Sequence, residues 1–302
     1  MLKVIALLAA SVAGVQLMSA NVQTSVPSAD YTQQIQAWRA SRVARLKAPD
    51  GWLSLVGLHW LKDGNNTVGS AKGNDIVLTE GPARLGVVGL KGGKATITLD
   101  AKSKATIDGK EVKSAVLLDD SHEHPTTVAF GTRSFYLIDR SGKKGLRVKD
   151  SAAPTLTHFA GIDSFAINPS WRVVAKWEPY KPAHELEIPT VLGTVDKLPV
   201  PGKAVFQRDG KTYTLLPVLE DPAAKELWFI FADRTSGKQT YGAARFLYAD
   251  MPKDGKVVID FNKAYNPPCA FTPYATCPLA PSANRLDLAV TAGEKKYGGG
   301  HH

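Results

Sequence analysis

From Trp52 to Lys149 short apolar runs alternate with polar breaks built on Gly, Asn and Asp. Runs rich in Val, Ile, Leu and Thr between turn formers are the pattern of strands with one buried face. The spacing predicts strands at Leu53–Leu58, Asn66–Val68, Asp75–Leu78, Leu85–Leu90, Ala95–Leu99, Lys104–Ile107, Val112–Leu117, Thr126–Phe130, Phe135–Asp139 and Leu146–Lys149. Gly92-Gly93 and Asp108-Gly109 predict tight turns, because their backbones accept positive φ.

Ahead of this region the period changes. Tyr31, Ile35, Trp38 and Leu46 fall on one face of a helix running from Tyr31 to about Lys47, with Arg39, Arg42 and Arg45 on another. Asp30 reads as its N-cap, with Gln33 completing a capping-box spacing. Such a basic face can touch a membrane surface; packing of the apolar side on the domain behind it is the simpler expectation.

Residues 151–190 read as a connector. Trp171–Trp177 alternates as a strand does, and Pro179, Pro182 and Pro189 interrupt the residues after it. No long Gly/Ser tract separates the two halves, so they are expected to pack together. Strand patterns return at His184–Ile188, Gly193–Lys197, Gly202–Gln207, Lys211–Val218, Leu227–Ala232, Gly242–Leu247 and Val257–Asp260, with Leu288–Ala292 finishing the sheet and Asp209-Gly210 as a hairpin turn.

These patterns make the fold class mainly β. A sandwich over 51–150 precedes a second small β-barrel or β-sandwich domain over 191–297, with one helix in the N-terminal segment 21–50. Gly298–His302 reads as a disordered tail.

Residues 1–20 change the picture of location. Lys3, the apolar run Val4–Met18 and the small pair Ser19-Ala20 form a Sec-type signal peptide, although Met18 is a poor residue three places before the cut. The expectation is a periplasmic or secreted protein without stable membrane insertion. Lys3 is the sole charged residue in 1–20, so its removal lowers the formal net charge from +9 to +8. A basic surface favours anionic partners. No nucleic-acid-binding module accompanies it, and the lysines are spread along hairpins, so a solvated surface is the simpler account.

Export bears on the segment Asp260–Leu286, which holds both cysteines. Two cysteines eight residues apart in an exported chain most simply form a disulfide, Cys269–Cys277. Closing so short a loop contributes roughly 2–3 kcal/mol. A metal site would want further ligands, and no His lies in the segment. Neither a metal nor a cofactor is predicted.

Candidate chemistry gathers around two strand ends. A buried strand delivers Asp233 to a polar turn, and the chain returns through Tyr241 to Arg245. Asp260 ends another strand, followed by Asn262 and Asn266. A carboxylate beside Arg and Tyr is suited to fixing a small polar ligand; an Asx-type turn, in which Asp233 accepts from the amides of Thr235 and Ser236, is the structural alternative. His122-Glu123-His124 offers two ligands on one side of a strand but sits in a polar loop. His59 sits in an apolar run beside Trp60, as a partly buried histidine would. No Gly-x-Ser-x-Gly elbow, His-Glu-x-x-His helix, Walker loop or dinucleotide fingerprint is present.

Two resemblances add to this. Asn65–Gly69, Gly73–Leu78, Ile107–Val112 and Phe130-Gly131 resemble the strand order of a forkhead-associated (FHA) sandwich. That family reads phosphothreonine through an Arg after the Gly and a Ser and His in the next loop. Here Ser70 follows Gly69 and the next loop is Pro82-Ala83-Arg84-Leu85, so the resemblance implies a degenerate FHA-like scaffold. Gly51–Leu55, Gly57–Leu61, the run Asp233–Arg245, Asp260–Asn262, Asn266–Ala270, Cys277–Leu279, Asn284–Leu286 and Gly293-Glu294 together resemble a bacterial family of unknown function, DUF1684. This second resemblance implies membership and no mechanism.

The expectation is noncatalytic recognition of a small or polymeric envelope ligand through Asp233, Tyr241, Arg245, Asp260, Asn262 and Asn266. The alternatives are a hydrolase with Asp233 or Asp260 as general base, and a structural protein without a ligand.

Overall fold

The computed structural model describes residues 28–299, so the expected signal peptide and residues 300–302 of the expected tail lie outside the described residues. Helix α1 spans Ala29–Leu46. It starts before the expected cap: Ser28 has the extended backbone a cap needs, and its Oγ accepts from the Tyr31 amide at 3.2 Å. Asp30 instead sits in the first turn, where a carboxylate opposes the helix dipole, and it accepts from Gln34 Nε2. The expected basic face also divides. Arg42 lies seven residues from Ile35 and four from Leu46, and all three are buried on one stripe.

Ten strands then build a sandwich: β1 Leu55–Trp60, β2 Gly64–Gly69, β3 Ile76–Val77, β4 Gly86–Lys91, β5 Lys94–Leu99, β6 Thr106–Ile107, β7 Ser114–Leu117, β8 Thr127–Phe130, β9 Arg133–Arg140 and β10 Lys143–Asp150. One sheet has the order β1-β10-β9-β8-β6 and the other β3-β2-β4-β5-β7. Alternating residues such as Val68, Val88, Ile97, Val128, Phe135, Leu137 and Leu146 fill the space between them. Gly92 and Gly93, at φ 56° and 75°, close the β4–β5 hairpin as expected. Asp108 and Gly109 also turn at positive φ as expected, closed by reciprocal backbone hydrogen bonds between Ile107 and Lys110, while β6 pairs with β8 on its other side.

A short helix α2 (Pro154–Thr157) leads to the second half: β11 Arg172–Pro189, β12 Val195–Arg208, β13 Lys211–Leu215, β14 Glu226–Phe231, β15 Arg245–Asp250 and β16 Lys256–Asp260. They form a sheet of order β13-β12-β11-β16 and the pair β14-β15. The end of the expected connector is therefore a strand, and the expected pieces between 172 and 207 fuse into two long ones. Pro182 is tolerated because the β11–β12 register jumps between Pro179 and His184, where the ladder is interrupted. Leu288–Ala292 is not a strand. Its backbone is held instead by side chains from β15 and from the turn after β14.

Phe206, Phe229, Phe231, Phe261 and Trp171 anchor the second core. A further apolar cluster joins the halves: Leu55 of β1 packs with Ile188, Val200, Phe246 and Cys277. Thr272 Oγ1 donates to the Leu55 carbonyl at 3.1 Å across the same junction. Among the described residues no helix is long and apolar enough to cross a membrane.

Candidate functional site

The six residues singled out in the sequence do not gather in one cavity. Asp233 and Arg245 face each other with side chains 0 % and 1 % exposed, and Arg245 Nη2 donates to Asp233 Oδ2 at 2.7 Å. Asp233 Oδ1 accepts from the Thr235 and Val290 amides, so the Asx-type turn is made at Thr235. Ser236 Oγ accepts from the Asp233 amide instead. Arg245 donates onward to the carbonyls of Val290 and Ala292. The pair thus occupies itself with the backbone of 288–292, and burial lowers the Arg245 guanidinium against the pull of Asp233. A carboxylate so enclosed and so fully bonded is not free to take a proton from a substrate.

Tyr241 donates to the Cys269 carbonyl at 3.2 Å, and burial, then Cys269, pushes its hydroxyl up to about 12. Asn266 joins α1 to the chain's end: its amide donates to Glu294 Oε2 at 2.7 Å, and its carbonyl accepts from Arg42 Nη2 at 2.9 Å. Burial pushes the Glu294 carboxyl up, with Arg42 working against it. Asp260 accepts from Tyr31 Oη on both oxygens, at 3.0 and 2.9 Å, and from the Asn262 amide. Asn262 Nδ2 bridges Asp260, Tyr31 and the Asn168 carbonyl. These bonds latch the start of α1 onto the end of β16.

Of the six, Asp260 lines a major cleft. This cleft, about 440 Å³, lies between α1 and the β15–β16 region, with Trp38, Arg45, Arg172, Glu226 and Asp250 among its walls. A neighbouring cleft of about 420 Å³ opens where the two halves meet. Arg140 and Arg147 enter it from β9 and β10, Trp52 from the turn before β1, and Trp228, Phe246 and Tyr248 from β14 and β15. Tyr265, Thr276 and Cys277 come from the Cys-containing loop.

The second cleft has the stronger chemistry. Arg147 is 2 % exposed. Its Nη2 donates to Thr276 Oγ1 at 3.1 Å and its Nη1 to Tyr136 Oη at 3.3 Å, while its Nε has no partner among the described residues. The Asp120 carboxylate approaches no nearer than 4.0 Å and is already held by Arg140 at 2.7 and 3.1 Å. Trp228 Nε1, also buried, is likewise without a partner among the described residues. Two buried donors unmet among the described residues beside this cleft, one on a guanidinium without a close carboxylate, present an electrostatic demand for an acceptor with negative charge.

Aromatic rings form the body of this cleft. Trp228 and Tyr248, opposite each other in the β14–β15 register, lie at 10° with centroids 6.1 Å apart. Tyr248 and Tyr265 lie at 15° and 6.4 Å. Arg42 sits 4.6 Å above the Tyr265 ring, and Arg147 5.2 Å from that of Trp52. Such rings offer flat apolar surface to a ligand and steady the guanidiniums beside them.

Cys277 lines the same cleft, and it and Cys269 stand as unbonded thiols. Each amide donates to the other residue's sulfur, Cys269 N to Cys277 Sγ at 3.1 Å and Cys277 N to Cys269 Sγ at 3.3 Å. The Cys277 thiol lowers its partner Cys269 by hydrogen bonding to it, whereas burial pushes Cys277 up.

Sequence reasoning passed over Arg147, Arg140, Trp228 and Tyr248, yet a signal was available. Along β14 and β15, Leu227, Phe229, Phe231, Leu247 and Ala249 turn to the second core, while Trp228, Ile230, Phe246 and Tyr248 make the other face apolar where alternation expects polar residues. Arg147 and Tyr136 are likewise paired on the face of β9–β10 turned from the sandwich core. Large aromatics and arginines on a strand's second face mark something to be covered. The His122–His124 loop is exposed, and among the described residues no cluster could hold a metal ion. His59 is partly buried, and burial lowers it.

Residues 157–295 match the family model described as "Protein of unknown function (DUF1684)". The match takes in the motifs from Asp233 to Glu294 and leaves out those of Gly51–Leu61. No curated protein matches. Among solved structures, the solution NMR structure of an uncharacterized protein of Haloarcula marismortui is 28% identical, with a TM-score of 0.39 over 46% of this chain and 78% of that one. A structure from a study of phosphothreonine-dependent FHA domain interactions is 17% identical, with a TM-score of 0.21 over 30% of this chain and 92% of that one.

Proposed function

We propose that this is an exported protein that recognises, without chemical turnover, a small ligand carrying an anionic group on a flat or ring-shaped body. The site is the cleft between the halves. The observation that carries the reading is the buried Arg147, whose Nε is unpartnered among the described residues and whose nearest carboxylate is engaged by Arg140. A carboxylate or phosphate there would accept from Arg147 Nε and Trp228 Nε1, while Trp228, Tyr248 and Tyr265 meet its ring. The chain's positive charge draws such ligands in.

Export would expose the thiol pair to an oxidising compartment. In this reading Cys269 and Cys277 lose two electrons and two protons to a thiol–disulfide oxidoreductase and become a disulfide, stiffening the cleft's rim.

Tryptophan fluorescence tests the site, since Trp52 and Trp228 both line it. The full chain is titrated with benzoate, phenyl phosphate and glucuronate. At least one should bind saturably, and Arg147→Met should weaken that binding tenfold or more. Binding that ignores Arg147→Met, or no binding by any of the three, overturns the reading.

A further inference from the structure

The two clefts share Arg42, Tyr248 and Tyr265 on their walls. They therefore adjoin across one band of aromatic surface, a two-part trough whose ends differ in charge. The end at Arg147 and Arg140 has Glu220 as the single acidic residue on its walls. The other end mixes Arg45, Arg172 and Lys263 with Glu226, Asp250 and Asp260. Trp38 extends the ring series there, 6.3 Å from Tyr265.

A lipid chain finds Ala249 and Val258 outnumbered by charged side chains at the mixed end, and a compact anion fills only the cationic one. Hydroxyl groups suit a wall of alternating acids and bases, because each both donates to a carboxylate and accepts from a guanidinium. Pyranose rings suit flat aromatic surface, to which they present their C–H faces. The trough's summed size also exceeds what one small ring fills.

We infer that the ligand is an acidic oligosaccharide. Its uronate group sits at Arg147 and Trp228, and its neutral sugars run over Tyr248 and Tyr265 towards Trp38 and Arg172. This rests on the anion-binding reading above and extends it to a substrate class.

Calorimetry on the full chain tests it with glucuronic acid, glucuronosyl-xylotriose and xylotetraose. The acidic tetrasaccharide should bind at least tenfold more tightly than glucuronic acid, and neutral xylotetraose should bind far more weakly than either. Arg172→Ala, a change at an exposed side chain, should reduce affinity for the tetrasaccharide severalfold and leave glucuronic acid unchanged. Arg147→Met should weaken both acids. Equal affinity for the acidic monomer and tetramer overturns the extended trough while the anion site stands. Acidic sugars that bind independently of Arg147 overturn the anion site itself. If no acidic sugar binds but phenyl phosphate or benzoate does in an Arg147-dependent way, the oligosaccharide inference fails alone.

Discussion

Arg245 Nη2 and Asp233 Oδ2 are 2.7 Å apart with both side chains closed off from solvent. Between them they bind the Val290 amide and the carbonyls of Val290 and Ala292. An ion pair has replaced the neighbouring strand that residues 288–292 lack. Its removal therefore threatens the second core rather than a reaction. Arg245→Met should destabilise the protein by about 3–5 kcal/mol, because it leaves a buried carboxylate uncompensated. Urea unfolding measures it, and a loss under about 1 kcal/mol would mean that the pair does not hold this segment.

Much of the frame was legible in the chain. The alternation that predicts β4 and β5 reads directly because Gly92-Gly93 marks the turn and one face of each strand is buried. The site was less legible for a physical reason. Asp233, Arg245, Asn262 and Asn266 are polar groups forced inside, and a sequence does not distinguish a side chain buried to satisfy backbone from one buried to meet a ligand. Arg147 and Trp228 come from different halves, 81 positions apart by number, and only the meeting of the two halves brings them to one cleft. Leu288–Ala292 failed as a strand because its alternating burial is real while its hydrogen-bond partners are the Arg245 and Asp233 side chains and the single Arg234 amide rather than a neighbouring strand.

Gly293 joins this segment to Glu294 and turns at φ 79°. A Cβ there would stand inside contact distance of the Ala264 carbonyl and 2.8 Å from that of Phe261. Neither backbone atom can swing aside as a flexible side chain would. Gly293→Ala should cost about 1–3 kcal/mol through strain at this conformation, read as a drop in Tm. It should also loosen the Glu294 contacts to Arg42 and Asn266, which amide hydrogen exchange at Asn266 reports.

Asp119 and Lys144 set an acid limit for the sandwich. The Lys144 ammonium, followed by Ser121, holds the Asp119 carboxyl well below its ordinary 3.8. Burial alone would lower Lys144, but its bonds to Asp119 and Asp139 outweigh this and raise it. A depressed carboxyl stabilises the fold above its unfolded value, and the contribution disappears as pH falls below about 4. Asp119→Asn should thus lower stability at pH 7 by about 1.5–3 kcal/mol and flatten the acid side of the stability profile. Thermal melts from pH 2 to 8 decide it; parallel wild-type and variant curves would reject the assignment.

The thiol pair makes an ordered prediction in the reduced protein. Cys269 is held low by the Cys277 thiol and is half-buried, whereas Cys277 is buried and pushed up. Since the thiolate is the nucleophile, iodoacetamide should label Cys269 well before Cys277, by tenfold or more, as peptide mass spectrometry resolves. Protein isolated after export should show no free thiol. Two titratable thiols in that material would remove the disulfide from the reading.

Thr276 offers the sharpest probe of the cleft because it carries no charge. Its Oγ1 accepts from Arg140 Nε at 3.0 Å and from Arg147 Nη2 at 3.1 Å, so one hydroxyl fixes both guanidiniums. Thr276→Val keeps the shape and removes the acceptor. Arg147 then retains Tyr136 as its one bonded partner among the described residues, and the change should cost about 1–3 kcal/mol of stability. Affinity for the anionic ligand should respond in a way that a purely structural hydroxyl would not produce. A guanidinium released from Thr276 is less well aimed, so binding should weaken severalfold. Thr276→Ser restores the acceptor and should restore both quantities. If Thr276→Val destabilises the protein yet binds phenyl phosphate or glucuronate as wild type does, the arginine pair is holding the halves together and the anion is bound elsewhere.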